Sequence, residues 1–273
     1  MHRLIPFVVL LSLGCAPEQS VLGRPYELVS SPGAEGELPL LILAHGYSAS
    51  GPLQDFLFPF SKLQASRAFH YARLNGTLDR GGKRFWNATD FCCNFENLPV
   101  DDVAYFRAVI EDVKAQRAVK RGHVFIVGHS NGAFMALRLA CEASDVVDGI
   151  VAVSGSTWTD FSRCPDGRAI PILFVHGTVD GTILYEGAEG KYPSVIETAS
   201  RFAVRSGCRS ASFLDQGETR DFVDPVDQET KIERSDCPTP FEIWKLEGIG
   251  HVPAFNAAWT AATFDWLEAR VTP

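Results

Sequence analysis

The stretch VFIVGHSNGAFMALRLA contains a Gly-x-Ser-x-Gly motif centred on Ser130. Residues 124–127 before it are apolar, as in a buried strand, and residues 133–141 after it have the pattern of a helix. A serine in a sharp strand-to-helix turn, flanked by Gly128 and Gly132, exposes its hydroxyl near a helix N-terminus. The partial positive charge of that terminus would stabilise the oxyanion that forms when the serine attacks a carbonyl group. Alone the motif is a weak signal, because small residues are common in such turns.

Two further residues supply what a serine nucleophile needs. Asp180 follows the apolar run ILFVHG, and His251 follows the run FEIWKLEG in a glycine-flanked loop. A serine requires a base to take its proton, and an imidazole requires a carboxylate to fix its tautomer. The chain order Ser, Asp, His is that of α/β-hydrolases. The sequence therefore predicts a catalytic triad of Ser130, Asp180 and His251.

Each member has a simpler interpretation. Asp180 has the position of a turn residue before Gly181, and an isolated histidine is more often structural than catalytic. Three other histidines next to glycines are expected to shape turns at strand ends: His45, His129 and His176. Four aspartates compete with Asp180 but follow no predicted strand: Asp215, Asp221, Asp224 and Asp227.

Two backbone N–H groups are candidates for an oxyanion hole. The stretch LILAHGYSASG ends an apolar run with His-Gly, and the amide of Tyr47 comes directly after it. The second amide is that of Asn131, which follows the proposed nucleophile. Two such donors would stabilise the negative charge that develops on a carbonyl oxygen under attack.

Short apolar runs alternate with helical patterns from about residue 38 onward. The runs LPLLILAHG, FHYARLNG, HVFIVGHS, GIVAVSGS, IPILFVHGT and FEIWKLEG are apolar almost throughout, as expected of strands covered on both faces. Between them, Val103, Phe106, Ile110 and Val113 share one helical stripe. The pattern predicts an α/β-hydrolase fold, with a mostly parallel central sheet, helices on both faces and no large lid.

The composition limits the class of partner. A chain of 273 residues with 46% hydrophobic residues suits one large α/β domain. Its formal net charge of -8 argues against a nucleic-acid partner, because phosphate binding needs a basic face. The predicted site needs no cofactor and no metal ion, and the cysteines lack the paired spacing of a zinc site. No particular oligomeric state is predicted.

The N-terminal segment predicts export. Residues 1–14, MHRLIPFVVLLSLG, place a basic residue before an apolar run too short to span a bilayer. The ending before Cys15 is similar to a bacterial lipoprotein processing site, which predicts a lipid on Cys15 as the only contact with the membrane of the cell envelope; ordinary signal cleavage nearby is the alternative. Residues 15–37 are predicted to be a tether, and residues 38–273 the catalytic domain.

An even set of cysteines remains after Cys15. Three disulfides are expected from six cysteines in an exported chain. Cys208 and Cys237 bracket an acidic insertion and are predicted to close it. That pairing leaves Cys92 and Cys93 to reach Cys141 and Cys164, in an order that the sequence leaves open.

Several stretches together resemble the secreted polyhydroxybutyrate depolymerase and feruloyl esterase group of α/β-hydrolases. They are AHGYSASG, FWNATDFCCN followed by VDDVAYFRAVIEDV, GHSNGAFMALRLAC, VHGTVDGTILYEG and GIGHVPAF. The resemblance implies the triad of Ser130, Asp180 and His251, and cysteine pairing among Cys92, Cys93, Cys141 and Cys164. Family members often have Gly-Leu-Ser-Ala-Gly at the nucleophile and Trp-Pro after the histidine; these differences concern the substrate rather than the reaction.

The expected activity is therefore that of a serine esterase acting on a small or polymeric ester substrate, such as a polyester, a feruloyl ester or another short-chain acyl ester. Four aromatic residues near predicted strand ends are candidate substrate walls: Tyr47, Trp86, Trp158 and Tyr185. A peptidase or acyltransferase on the same fold is one alternative. A surface lipoprotein that binds without catalysis is another, although it would not need a triad and an oxyanion loop together.

Overall fold

The computed structural model describes residues 19–208 and 212–271, and its main feature is a sheet of ten strands. Their order across the sheet is β1-β2-β4-β3-β7-β8-β9-β12-β11-β10. The strands are β1 (Gln19–Val21), β2 (Arg24–Ser30), β3 (Leu38–Ala44), β4 (His70–Leu74), β7 (Val119–His129), β8 (Gly149–Val153), β9 (Ile172–Gly177), β10 (Phe213–Arg220), β11 (Thr230–Ser235) and β12 (Phe241–Leu246). A separate hairpin consists of β5 (Thr77–Leu78) and β6 (Arg84–Phe85).

The six inner strands, from β4 to β12, run parallel to one another. The antiparallel pairs of this sheet's described strands lie toward the two margins, where β2 joins β4 and β11 joins β12. Every residue of β3, β8 and β9 is buried, as expected of strands covered on both faces. The predicted α/β-hydrolase fold with a mostly parallel sheet is confirmed.

Six α-helices within the described residues cover the two faces of this sheet. They are α1 (Gly51–Leu57), α2 (Phe60–Leu63), α3 (Asp102–Gln116), α4 (Asn131–Glu142), α5 (Val195–Arg205) and α6 (Ala257–Arg270). One core cluster includes the buried sides of α3, α4 and α5, and the other includes those of α2 and α6. The predicted stripe of α3 is buried in full, and the Asp101 carboxylate caps the helix by accepting the Ala104 N–H at 2.9 Å. Within the described ranges, no helix is long and apolar enough to cross a bilayer.

The predicted tether, residues 15–37, is wrong for much of its length, because β1 and β2 lie in it and extend the sheet. Tyr26 and Leu28 of β2 are buried against the core, and Arg24 forms an ion pair with Asp102 at 2.6 Å. The folded domain therefore begins by residue 19 rather than at residue 38. Residues 1–14 and Cys15 lie outside the described residues.

The cysteine pairing agrees with the expectation for Cys208 and Cys237 and differs from it for Cys92 and Cys93. Cys208 joins Cys237, but Cys92 joins its own neighbour Cys93, and Cys141 joins Cys164. Cys141, in the last turn of α4, lies opposite Cys164, with 5.0 Å between the Cα atoms, a separation typical of a disulfide. The prediction that Cys92 and Cys93 reach the other two cysteines is wrong, because those two already face each other.

The acidic insertion is part of the sheet. Its residues form β10 and β11, which pair with each other and with β12 to make one margin. β10 is mostly exposed, and its register shifts between Asp215 and Thr219. The sequence of β10 contains charged residues and a glycine instead of an apolar run, so the sequence did not predict this strand.

Candidate active site

The turn from β7 to α4 holds Ser130 in a conformation that depends on close backbone packing. Ser130 has φ 54° and ψ -118°, an unfavourable combination for a residue with a side chain. A Cβ on Gly128 would lie 2.1 Å from the Gly132 carbonyl oxygen, and one on Gly132 would lie 2.1 Å from the Ala44 carbonyl oxygen. Only glycine fits at these two positions, as the strand-turn-helix prediction requires.

The three residues predicted as a triad meet at the carboxyl ends of the parallel strands. His251 Nε2 lies 2.9 Å from Ser130 Oγ, and His251 Nδ1 lies 2.8 Å from Asp180 Oδ2. The Asp180 side chain is fully buried, whereas that of His251 is 17% exposed. This is the geometry in which an imidazole can take a proton from the serine while a carboxylate orients it.

Asp180 is held in its ionised form. Burial alone would raise the pKa of its carboxyl group, but hydrogen bonds from His176 and His251 hold that pKa well below its usual range. Its Oδ1 also accepts the N–H groups of Thr182 and Ile183, at 2.8 and 2.9 Å. Because the carboxylate only accepts hydrogen bonds, His251 carries its proton on Nδ1 and presents a free lone pair on Nε2 to Ser130.

The two predicted oxyanion donors belong to the loop after β3 and to the first residue of α4. A Cβ on Gly46 would be 3.4 Å from Ser130 Cβ, so the loop that carries Tyr47 packs directly against the nucleophile. Asn131 is the first residue of α4. Within residues 19–208 and 212–271, neither the Tyr47 nor the Asn131 amide N–H has a protein acceptor. Both donors are therefore available to an oxygen bound beside Ser130.

Residues 26–201 match the sequence pattern of the phospholipase/carboxylesterase family, which is more than half of the chain. The chain belongs to this family. It is a carboxylic ester hydrolase with the α/β-hydrolase fold.

Individual relatives agree with the family. A protein named as an esterase, NocK of Nocardia uniformis subsp. tsuyamanensis, is 27% identical over 91% of this chain and 74% of NocK. Feruloyl esterase D of Neurospora crassa is 27% identical over 56% of this chain and 48% of its own length, so this chain spans about half of that relative. Among solved structures, acetyl xylan esterase from Aspergillus awamori has a TM-score of 0.66 at 13% identity, covering 93% of this chain and 99% of that one. That similarity concerns the fold.

Two further histidines of this carboxylesterase contact members of the triad. His176 Nε2 donates to the Ile183 carbonyl oxygen at 2.8 Å and lies 3.2 Å from Asp180 Oδ2. His129 Nε2 lies 3.0 Å from the His251 carbonyl oxygen, and burial lowers the pKa of His129 to about 4. Both were expected only to shape turns. Their places at the carboxyl ends of two buried strands, β7 and β9, were the available signal.

The Asn131 side chain has a role that the sequence did not indicate. Its Oδ1 accepts the Trp86 N–H at 2.7 Å, and its Nδ2 donates to the Trp86 carbonyl oxygen at 2.9 Å. These two bonds fasten the segment between β6 and α3 to the start of α4. A fully buried amide next to the nucleophile satisfies its hydrogen-bonding groups in this way.

The prediction of four aromatic walls needs correction. Trp86 is fully buried, and its indole N–H donates to the His45 carbonyl oxygen at 2.8 Å, so it belongs to the core. Trp158 and Tyr185 are only 4% and 7% exposed and offer a substrate little surface. Large aromatic groups gain most from burial, which explains the difference. Tyr47 remains partly exposed, and its ring contacts Phe95, which is 64% exposed and was missed by the sequence analysis.

Proposed function

We propose that this carboxylesterase is a serine esterase that works through an acyl-enzyme. The observation that carries the proposal is the continuous contact from Ser130 Oγ through His251 to the buried carboxylate of Asp180, at 2.9 and 2.8 Å. The available N–H groups beside the serine support it.

The proposed steps use only side chains and backbone of this chain. Ser130 Oγ attacks the ester carbonyl while His251 Nε2 takes the hydroxyl proton, and Asp180 stabilises the resulting imidazolium. The Tyr47 and Asn131 amides donate to the oxyanion of the tetrahedral intermediate. His251 then protonates the departing alcohol oxygen. Water, deprotonated by the same imidazole, attacks the acyl-enzyme, which releases the acid and restores the serine.

Feruloyl and other short-chain acyl esters are the proposed substrates. The names of two similar proteins, a feruloyl esterase and an acetyl xylan esterase, support this class. So does the pair of rings beside the oxyanion loop, Tyr47 and Phe95, whose centroids are 5.4 Å apart. The partly exposed ring of Tyr47 and the exposed ring of Phe95 offer an aromatic acyl group a stacking surface. A short-chain polyester such as polyhydroxybutyrate is the second substrate to be tested.

Export from the cytosol is also part of the proposal. The three disulfides are of a kind that persists in oxidising compartments, and the apolar run of residues 1–14 is suited to a signal. A lipid on Cys15 would hold the enzyme at the cell envelope. Mass spectrometry of the N-terminal peptide tests it, since a diacylglyceryl adduct supports the anchor and an unmodified or earlier-cleaved terminus contradicts it.

The deciding experiment measures hydrolysis of p-nitrophenyl acetate, butyrate and octanoate, methyl ferulate, acetylated xylan and polyhydroxybutyrate. We expect Ser130→Ala to lower kcat at least about a thousandfold. Ser154→Ala is the matched control, because Ser154 also has φ 54° and directly follows the neighbouring strand, β8. Full activity in Ser130→Ala would refute the nucleophile, and no hydrolysis by folded, disulfide-bonded wild type would refute the esterase.

A further inference from the structure

Gln54 is a polar side chain of α1 that is fully buried and has no part in the proposed mechanism. Its Oε1 accepts the Gly46 N–H at 3.0 Å. Because that N–H can only donate, the amide of Gln54 must present its oxygen here. Gln54 therefore fixes the backbone of the loop that carries one of the two oxyanion donors.

The His45 side chain fixes the carbonyl group of Gly46. The Gly76 N–H donates to His45 Nε2 at 2.9 Å, and burial lowers the pKa of His45 to about 4. The neutral ring therefore carries its proton on Nδ1 and donates it to the Gly46 carbonyl oxygen at 2.7 Å. The Ala49 N–H donates to the same oxygen at 3.1 Å.

These bonds set the direction of the Tyr47 amide. The cis peptide bonds of the described chain lie elsewhere, so the bond between Gly46 and Tyr47 is trans. In a trans peptide the C=O and N–H point in opposite directions. Holding the Gly46 carbonyl toward His45 thus turns the Tyr47 N–H the other way, where it has no protein acceptor in the described ranges.

Gln54 also contacts the support of the catalytic histidine. Its Oε1 lies 3.3 Å from His129 Nδ1, and His129 Nε2 lies 3.0 Å from the His251 carbonyl oxygen. One buried side chain thus contacts both the oxyanion loop and the ring behind His251. Because the neutral His129 ring donates through Nε2, its Nδ1 only packs against Gln54 Oε1, and the hydrogen bond that Gln54 accepts is the one from Gly46.

We infer that Gln54 is a positioning residue that orients the Tyr47 N–H toward the oxyanion. It acts on the transition state rather than on substrate binding, because the bond it fixes strengthens only when negative charge develops on the substrate oxygen. The inference rests on the proposed function.

The test compares two substitutions at this position, in the mature disulfide-bonded protein. Gln54→Met keeps an unbranched side chain and removes the acceptor, whereas Gln54→Glu keeps an oxygen in its place. We expect Gln54→Met to lower kcat about 10- to 100-fold, less than the complete removal of a donor, with KM within about twofold. The affinity for a trifluoromethyl ketone, whose adduct with Ser130 carries an oxyanion, should fall by the same factor. Gln54→Glu should recover most of both losses.

Gln64→Met is the matched control. Gln64 Nε2 donates to the Val29 and Phe69 carbonyl oxygens at 3.1 and 3.0 Å, away from the serine. The same substitution there should lower the melting temperature without changing kcat or inhibitor affinity. If Gln54→Met behaves like this control, or changes KM alone, the inference is wrong.

If Gln54→Met does not fold, Gln54→Asn and Gln54→Glu provide a second comparison. Gln54→Asn withdraws the amide oxygen by one methylene, so kcat and inhibitor affinity should fall together in Gln54→Asn but not in Gln54→Glu. Equal kcat in these two variants and wild type would overturn the inference. Failure of the proposed function is distinguishable, because it appears in wild type as a lack of ester hydrolysis, whereas failure of this inference appears only in the variants.

Discussion

The centre of the sheet and its β10–β11 margin are held by different kinds of contact. At the centre, β3, β8 and β9 are wholly buried, and an added Cβ on Gly128, Gly132 or Gly177 would lie 2.1 Å from a backbone carbonyl oxygen. At the margin, β10 is mostly exposed and is fastened by the Cys208–Cys237 disulfide and by surface ion pairs. Catalytic atoms that must meet within tenths of an ångström need the first kind of contact, whereas the margin tolerates the second.

The largest loss of stability should come from adding one methyl group at the centre of the sheet. A Cβ on Gly132 would lie 2.1 Å from the Ala44 carbonyl oxygen, so Gly132→Ala must displace the nucleophile turn or β3. We expect a loss of about 3 kcal/mol or more in the free energy of unfolding, measured with urea, together with loss of esterase activity. Gly181→Ala is the control, because a Cβ there meets nothing within 4 Å. Equal stability of the two variants would contradict the comparison.

The second-largest loss of stability should come from lowering the pH, through two buried histidines at the centre of the sheet. Burial lowers the pKa of both His45 and His129 from 6.5 to about 4. Between these values the unfolded chain binds protons that the folded chain does not, so stability is complete above about pH 6.5 and falls as the pH drops toward 4. Each histidine accounts for a loss of about 3 kcal/mol at most. Urea unfolding from pH 4.5 to 7.5 should show this slope, and His129→Gln should reduce it; an unchanged slope in that variant would refute the assignment.

Removing the covalent link at the margin should cost less. Cys208 and Cys237 are 29 positions apart, and the double substitution to serine should lower the free energy of unfolding by about 3 kcal/mol, through the entropy of the unfolded chain. We expect kcat/KM for p-nitrophenyl acetate to stay within about twofold, since the pair holds the margin and not the triad. A large loss of activity in a folded variant would show that the margin reaches the site.

The smallest effect should follow from neutralising a surface ion pair. Glu218 lies 2.8 Å from Arg234 and 2.9 Å from Arg220, and all three side chains are about one-third to one-half exposed. Glu218→Gln should change the free energy of unfolding by less than about 1 kcal/mol, and high salt should erase the difference. A larger, salt-independent loss would mean that the margin depends on charge more than the comparison allows.

The sequence predicted the sheet and the meeting of Ser130, Asp180 and His251, because each follows an apolar strand and parallel strands end at one edge. Their catalytic roles and those of the Tyr47 and Asn131 amides stay predictions until the variants are measured. The order Ser, Asp, His along the chain contributed most to the prediction of the triad.

Other features have no local signal. β2 is short, lies toward a margin and buries only two large apolar residues, Tyr26 and Leu28. The Cys92–Cys93 pairing depends on where Cys141 and Cys164 lie in space. Gln54 is a polar residue in a short helix, and nothing in its neighbours shows that a distant loop will place an N–H against it.

The irregular outer strand of the margin also bears on how separate molecules meet. An open sheet presents unpaired backbone groups at its two outer strands, which is a route to aggregation. Here β1 is three residues long, while β10 carries charged side chains, a register shift and Gly217 at φ 64°. In the part of the chain that the structure describes, neither strand offers a long, flat template to a second copy. Molecules crowded together on a surface should therefore stay separate at their sheet edges.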